Sequence, residues 1–414
     1  MNAKTLLRLL ALLAAFGLLA AACSDSSSDS DETDASADES SDDSMEDDED
    51  SMEDDEDSME DDEDSMEDEE HAGAPDLSEV CPATLSLQTD WFPEAEHGAV
   101  YNMIGDDYTI DGDNMIVSGP LVSEGEDTGI VWEVRTGGPA IGFSPVAAHV
   151  YASDDIQLGY ANTEAQALQF ADTPMISVVA PLEKNPQMIM WDPETLPDVN
   201  GIADLGKAGT TINVFGGGVF SEVFVAQGIW SEDQVDPSYD GSPAAFVSAD
   251  GSIAQQGFAS AEPYVYKNEV ESWGKDVEFE LLHDAGFEVY AATIGVRADL
   301  MEELDECLTE LVPIIQKSTV SYYADPDRAN AIIIDAVETF DSFWVYNADL
   351  AAFSVETQNE LDLASNGDND TVGDIDADRI QRVIDSMTGA NMDVADITAE
   401  DIFTNKYIDE SIGF

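Results

Sequence analysis

Basic side chains are scarce in this chain. Thirteen Lys and Arg stand against 91 Asp and Glu, a formal charge of −78 over 414 residues. Phosphate binding needs clustered Lys and Arg, so a nucleic-acid partner is excluded, and direct docking on anionic lipid is disfavoured for the same reason. Histidine is also sparse. His71, His97, His149 and His283 are scattered without metal-ligand spacing, so no resident metal is expected. Three cysteines, Cys23, Cys81 and Cys307, are too few and too far apart for an iron–sulfur cluster. No Gly-x-Ser-x-Gly nucleophile elbow occurs. The run Gly201 to Lys207 imitates a phosphate loop, yet Ala208 stands where a Ser or Thr would bind Mg²⁺. Asp368, Asp370 and Gly373 suggest a calcium loop, but Val372 and Arg379 occupy ligand positions. Carboxylate pairs occur throughout and therefore say nothing about acid–base catalysis. No cofactor is expected.

The apolar stretch behind Lys4 spans about 17 residues, marginal for a bilayer span. It ends in Leu19-Ala20-Ala21-Ala22 before Cys23. A positive start, an apolar core and small residues before a lone Cys read as a cleaved secretory signal over 1–22, with Cys23 as the lipidation site. This makes the expected location extracytoplasmic, with the chain anchored by lipid to the outer face of a bacterial cytoplasmic membrane. Residues 23–76 then form an acidic arm in which Ser-Met-Glu-Asp-Asp-Glu-Asp recurs from Ser44, Ser51 and Ser58 and decays at Ser65. One Met per seven residues cannot build a coiled-coil seam, and the carboxylates repel one another. The arm is expected to be disordered, with a reach of about 40 Å or more.

About 29 of the acidic residues lie in 24–76, leaving about 62 against 11 Lys and Arg in the rest. High ionic strength screens such self-repulsion, so the composition fits salt adaptation. The remaining 77–414 is long enough for two lobes and a sizeable core. With Cys23 acylated, Cys81 and Cys307 are an even pair in an oxidising compartment, and a disulfide between them is expected.

Short β-type runs at 84–89, 129–134, 156–161, 176–180, 187–191, 210–215, 256–259, 277–282 and 292–296 alternate with helical patterns at 144–152, 164–171, 219–228 and 263–273. That rhythm predicts α/β architecture with mostly parallel sheets. From 299 onward the pattern is helical, with apolar residues at three- and four-residue spacing in 299–323, 326–340, 377–387 and 399–408. This tail is expected to pack around one lobe. Ligands of open α/β sheets bind beyond the carboxyl ends of the strands, and the unusual residues cluster there: Asp90-Trp91-Phe92-Pro93, Arg135 to Pro139, Asn162-Thr163-Glu164, Gly216-Gly217-Gly218, and Ala259 to Tyr264.

The run Leu87 to Pro93 through His97, the loop Arg135 to Pro139 and the segment Gly257-Phe258-Ala259-Ser260-Ala261-Glu262-Pro263-Tyr264 together resemble the solute-binding proteins of ABC importers. Within these the chain is most similar to the thiamine-pyrimidine group, related to nitrate, sulfonate and taurine binders. The resemblance covers residues 84 to 300 and implies a two-lobed type II periplasmic-binding fold with a helical C-terminal extension. Lobe one would comprise 77–175 and the returning 292–414, lobe two 176–291, with crossovers near 172–181 and 284–292. It implies a monomer that captures a small solute for a permease and has no catalytic residues.

On this reading Trp91 is a flat platform for a ring and Asp90 an acceptor for ring amino groups. Glu262 would face the cleft beside Tyr264, or else cap its own helix. His97 matches the family's first motif, although Glu94 and Glu96 stand where the usual pattern is neutral, a departure that favours a more cationic ligand. Arg135 would meet an acidic ligand group or tie down a neighbouring carboxylate. Asn162, Thr163 and the glycines 216 to 218 complete the expected contacts. Two alternatives remain open: a binder of sulfonate, nitrate or another small organic anion, and a secreted pyrimidine-metabolising enzyme.

Overall fold

A computed structural model describes residues 74–414; the signal segment, Cys23 and nearly all of the acidic arm lie outside the described residues. Asp76 caps a short turn at Leu77–Glu79 by accepting from the Ser78 N–H. The chain then runs through β1 (Thr84–Gln88), β2 (Thr109–Asp111), β3 (Ile116–Ser123), β4 (Glu126–Arg135), β5 (Leu158–Ala161) and β6 (Met175–Val179). It crosses over and forms β7 (Gln187–Trp191), β8 (Ile212–Asn213), β9 (Val235–Asp236), β10 (Ala254–Phe258) and β11 (Glu278–Leu281), before returning as β12 (Thr293–Arg297).

The first sheet has the order β2-β3-β4-β1-β5-β12-β6 and the second β11-β7-β10-β8-β9. Both are built on one plan. In the first, β1 pairs in parallel with β4 and β5, and the returning β12 lies antiparallel between β5 and β6. In the second, β8 pairs in parallel with β9 and β10, and the entering β7 lies antiparallel between β10 and β11. Two α/β lobes, each receiving one strand inserted by a crossover, make up the type II periplasmic-binding fold. The central strands are short apolar runs with little alternation because helices or loops cover both faces: β5 is buried at all four positions and β1 at four of five. The β3 strand alternates instead, as an edge-side strand with one wet face should.

The crossovers run through 180–186 and 282–292, so the strand expected at 176–180 belongs to the first sheet and the first crossing starts later than 172. Helices Asp305–Ala324, Asp327–Phe340 and Ala348–Glu360 pack on the first lobe's core with Leu85, Leu87, Trp132 and Ile294. The tail does not stay with one lobe, however. Helix Ala377–Gly389 joins the second lobe's core through Ile380, Val383, Ile384 and Met387. Its Arg379, 4% exposed, grips both crossings: it donates to the Glu288 and Val289 carbonyls, pairs with Glu183 at 2.8 Å and lies 3.7 Å from the Tyr290 ring centre. Residues 399–408 hold only a 3₁₀ turn at Ala399–Asp401 instead of the expected helix, closed by a capping box between Thr398 and Asp401.

Cys81, just before β1, is bonded to Cys307 in the first turn of helix Asp305–Ala324, with Cα atoms 4.8 Å apart. This ties the start of the lobe to the segment that returns 226 residues later. Closing so long a loop constrains the unfolded chain strongly. Cys81→Ser or Cys307→Ser is therefore expected to cost about 2–5 kcal/mol of stability in denaturant titration. An unchanged midpoint would show that the bridge does not form in solution.

Candidate functional site

The carboxyl ends of β1 and β10 face one another across the junction between the lobes. After β1 the chain turns sharply, and Thr89 Oγ1 donates to the Trp91 carbonyl at 2.8 Å. The next loop clasps this turn: the Gly137 N–H donates to the Trp91 carbonyl and to Thr89 Oγ1. A Cβ on Gly137 would lie 2.0 Å from the Thr89 carbonyl oxygen, and one on Gly138, whose φ is +57°, would lie 2.6 Å from the Trp91 ring. The Gly-Gly pair thus seats the tryptophan. Trp91 makes an edge contact with Trp344, 6.0 Å between centres, and Trp344 stacks on Phe92. Phe143 and Phe343, each about 70% exposed, extend this cluster as an aromatic lip.

Behind the lip stand the acids. Asp90 Oδ1 pairs with His97 Nε2 at 2.9 Å, and the His97 ring rests edge-on against Tyr160 at 5.0 Å. Glu94 and Glu96 flank Ala95, whose N–H donates to the Tyr346 hydroxyl. From the other lobe, Ser260 Oγ donates to Glu96 Oε1, and the Ser260 carbonyl accepts from Ser354 Oγ at 2.6 Å. Two residues on, Glu262 starts helix Glu262–Asn268, and its Oε2 accepts from the Phe258 N–H at 2.6 Å. Its Oε1 lies 3.5 Å from the Tyr239 hydroxyl. Tyr239 packs on Phe215 at 4.6 Å, which brings the 216–218 loop to the same end of the second sheet.

Charge is the unusual property of this junction. Burial holds the Glu94 carboxyl well above the ordinary range, and the charges of Glu96, Asp90 and Glu262 add to the shift. Burial also raises Glu96, against the opposing Ser260 bond. The Glu262 carboxyl is pushed up to about 7 by burial, offset in part by the Phe258 N–H. All eleven Lys and Arg of 77–414 are engaged elsewhere: ten pair with other carboxylates and Lys184 donates to the Leu361 carbonyl.

The expected residues divide accordingly. Asp90, Trp91, His97 and Glu262 come together at the junction. Tyr264 also lies between the lobes but packs on Phe353, 5.5 Å between ring centres, as an apolar contact. Arg135 Nε is bound to Glu133 Oε1 at 2.5 Å and serves the sheet. Asn162 caps helix Thr163–Gln169 by accepting from the Ala165 N–H. Thr163 exchanges backbone and hydroxyl bonds with Tyr290 on the second crossover. Gly216 and Gly217 are exposed, with Gly217 at φ +84°, ahead of helix Val219–Ala226. Trp344, Tyr346, Tyr160, Tyr239 and Ser260 were not anticipated; only the aromatic run Phe343-Trp344-Val345-Tyr346 gave a signal that could have been read.

Cavities open elsewhere: one of about 680 Å³ beside Lys317 and Arg328, one of about 720 Å³ beside Glu183, Asp376 and Arg379, and one of about 720 Å³ beside Ile334 and Glu356. None of these three joins strand ends from both lobes, as the Glu96–Ser260 junction does.

No protein-family model matches the chain, and no curated protein matches it. Solved structures do. A protein from Bordetella bronchiseptica RB50 is similar with a TM-score of 0.50 at 13% identity, over 79% of this chain and 96% of that one. A protein described as a periplasmic sulfonate-binding protein of an ABC transporter, from Methylobacillus flagellatus KT, gives 0.49 at 11% identity, over 81% and 93%. An ABC transporter protein from Parabacteroides distasonis gives 0.45 at 8%, over 80% and 99%. At these identities the likeness is one of fold.

Because the folded protein holds the Glu262 proton more tightly than the unfolded chain does, this group's contribution to stability falls as pH rises from about 4.5 to about 7 and is constant above. Glu262→Gln, which cannot ionise, is expected to be more stable than the parent by about 1–3 kcal/mol at about pH 8 and equal to it near pH 4. Thermal melts at the two pH values check this; a variant no more stable at the higher pH contradicts it.

Proposed function

We propose that this chain is the extracytoplasmic solute-binding component of an ABC importer, tethered through Cys23 and the acidic arm, and that it captures a small nitrogenous solute, aminopyrimidine- or thiamine-precursor-like, between its lobes. The observation that carries the reading is the meeting of Glu96 and Ser260 from opposite lobes at the strand ends, beside Glu262 and the Trp91 turn. A ligand held there contacts both lobes at once and stabilises the closed arrangement, which a permease would recognise. Two crossovers supply the hinge, and the arm lets the domain leave the membrane surface while remaining captive.

The engagement of Arg135 with Glu133 removes one of the two supports of the organic-anion alternative and leaves it the backbone of Gly216 to Gly218. Ser260 is held by the Glu96 carboxylate but is fully buried, and no further observation favours the enzyme alternative. Polar acceptors beside an aromatic lip suit a heterocycle carrying amino groups.

A thermal-shift screen of residues 77–414 in high salt against aminopyrimidines, thiamine, amines, sulfonates and nitrate tests the proposal. A saturable rise of a few degrees is expected with at least one nitrogenous solute, about 2.7 kcal/mol at a hundredfold excess over Kd. Trp91→Ala should abolish it. A panel that gives no shift in the parent protein contradicts the reading.

A further inference from the structure

The junction between the lobes carries more carboxylate than its surroundings neutralise. Asp90 is matched by His97, whereas Glu94, Glu96 and Glu262 have no Lys or Arg partner among the described residues. His97, held on Asp90, acts on Glu96 as a positive charge and opposes its rise; the other titratable groups packed around them among the described residues are tyrosines. Tyr101 and Tyr160 face them from the first lobe, Tyr322 and Tyr323 from helix Asp305–Ala324, Tyr346 from the loop before Ala348, and Tyr239 and Tyr266 from the second lobe.

A second feature points to a ligand independently of the acids. Among the described residues, the Tyr160 hydroxyl, the Tyr101 hydroxyl and His97 Nδ1 are polar atoms without a hydrogen-bond partner, on residues no more than 2% exposed. The Tyr160 hydroxyl lies within the field of Asp90, Glu94 and Glu96, and that of Tyr101 within the field of Glu94. Leaving a buried polar group unpaired costs about 1–3 kcal/mol, so a guest with complementary polar groups beside these three would relieve that cost.

Resting on the solute-binding reading above, we infer that the guest is a small organic cation with N–H donors, seated among Glu94, Glu96 and Glu262. Its positive charge takes the place of protons that these carboxyls otherwise keep, and its N–H groups donate to them across both lobes. Carboxylates on opposing lobes repel as the lobes approach; a cation between them turns that repulsion into attraction. The site therefore discriminates by charge before shape, and each carboxyl that ionises on binding releases one proton. Burial keeps all three carboxyls above their ordinary range, and the exchange at Glu262, held at about 7, falls near neutral pH.

Three near-isosteric probes separate charge from shape. These are 4-aminopyridine, a cation at neutral pH, the neutral 4-aminopyrimidine, and the anion pyridine-4-sulfonate, each titrated calorimetrically into the parent protein at one fixed high salt concentration. The expected result is that 4-aminopyridine binds at least about tenfold tighter than 4-aminopyrimidine, that the sulfonate does not bind, and that the cation's Kd tightens as pH rises toward about 7, by up to about tenfold per pH unit for the Glu262 proton, and levels off for that group above it. Glu94→Gln and Glu262→Gln should each reduce the preference for the cation and flatten the pH dependence, while a circular dichroism spectrum matching the parent shows that the fold is intact. Equal or tighter binding of the neutral or anionic probe overturns the inference and leaves the solute-binding reading standing. Binding of none of the three also overturns it, and the broader screen then decides the fate of that reading separately.

Discussion

The structure turns on how few positive charges there are to share. Eleven basic side chains serve the described lobes, and each is committed to a place where the fold needs a tie. Arg379 holds the two crossovers, Arg135 a sheet carboxylate, and Lys406 and Tyr407 the carboxylate of Asp305 at the head of a long helix. Most exposed carboxylates do without a partner because water and salt screen them. At the junction between the lobes that relief is missing. Burial raises the carboxyls of Glu94, Glu96 and Glu262, and no Lys or Arg among the described residues offsets it.

The same economy shapes the hinge. Thr163 binds Tyr290 on the second crossing, Ala180 donates to the Gly373 carbonyl, and Glu183 donates its N–H to Leu363. The C-terminal segment therefore lies across both crossings, and helix Ala377–Gly389 packs on the core of the inserted lobe although it follows the return to the first. Arg379 stacks on the Tyr290 ring where the two crossings meet, a cation–π contact that needs no fixed hydrogen-bond geometry. Glu183, paired with Arg379 yet pushed up to about 7 by burial and by neighbouring aspartates, links this clasp to the acidity of the molecule as a whole.

Much of the architecture was legible because the signals were local. Short apolar runs marked β1, β5, β6, β7, β10 and β12, and the apolar spacing of 305–324 and 327–340 marked the long helices. The β2–β3 hairpin was missed because Gly119 and Pro120 interrupt β3, and glycine and proline usually argue against a strand interior. Helix Ala348–Glu360 was missed because its buried face is partly polar, with Ser354, Thr357 and Gln358 facing inward. Asp90, Trp91 and Glu262, named from motifs at strand ends, come together at the junction. Arg135 takes the second of its two expected roles, tying down the carboxylate of Glu133 on its own strand, whereas the roles of Asn162 and Thr163 depend on a helix N-terminus and on Tyr290, which is 127 residues from Thr163. Glu94 and Glu96 stood out only as a departure from a pattern, and their opposition to Glu262 depends on the packing of two lobes.

The central claim is that these carboxyls lack a Lys or Arg partner and hold their protons more tightly than ordinary glutamates do, Glu262 up to about pH 7. It is tested most directly by a ¹³C NMR titration of the glutamate side-chain carboxyls in residues 77–414, with the Glu262 resonance assigned by its loss in Glu262→Gln. The account predicts that this resonance titrates at about 7 without solute. Titration near the ordinary value of 4.5 would contradict it.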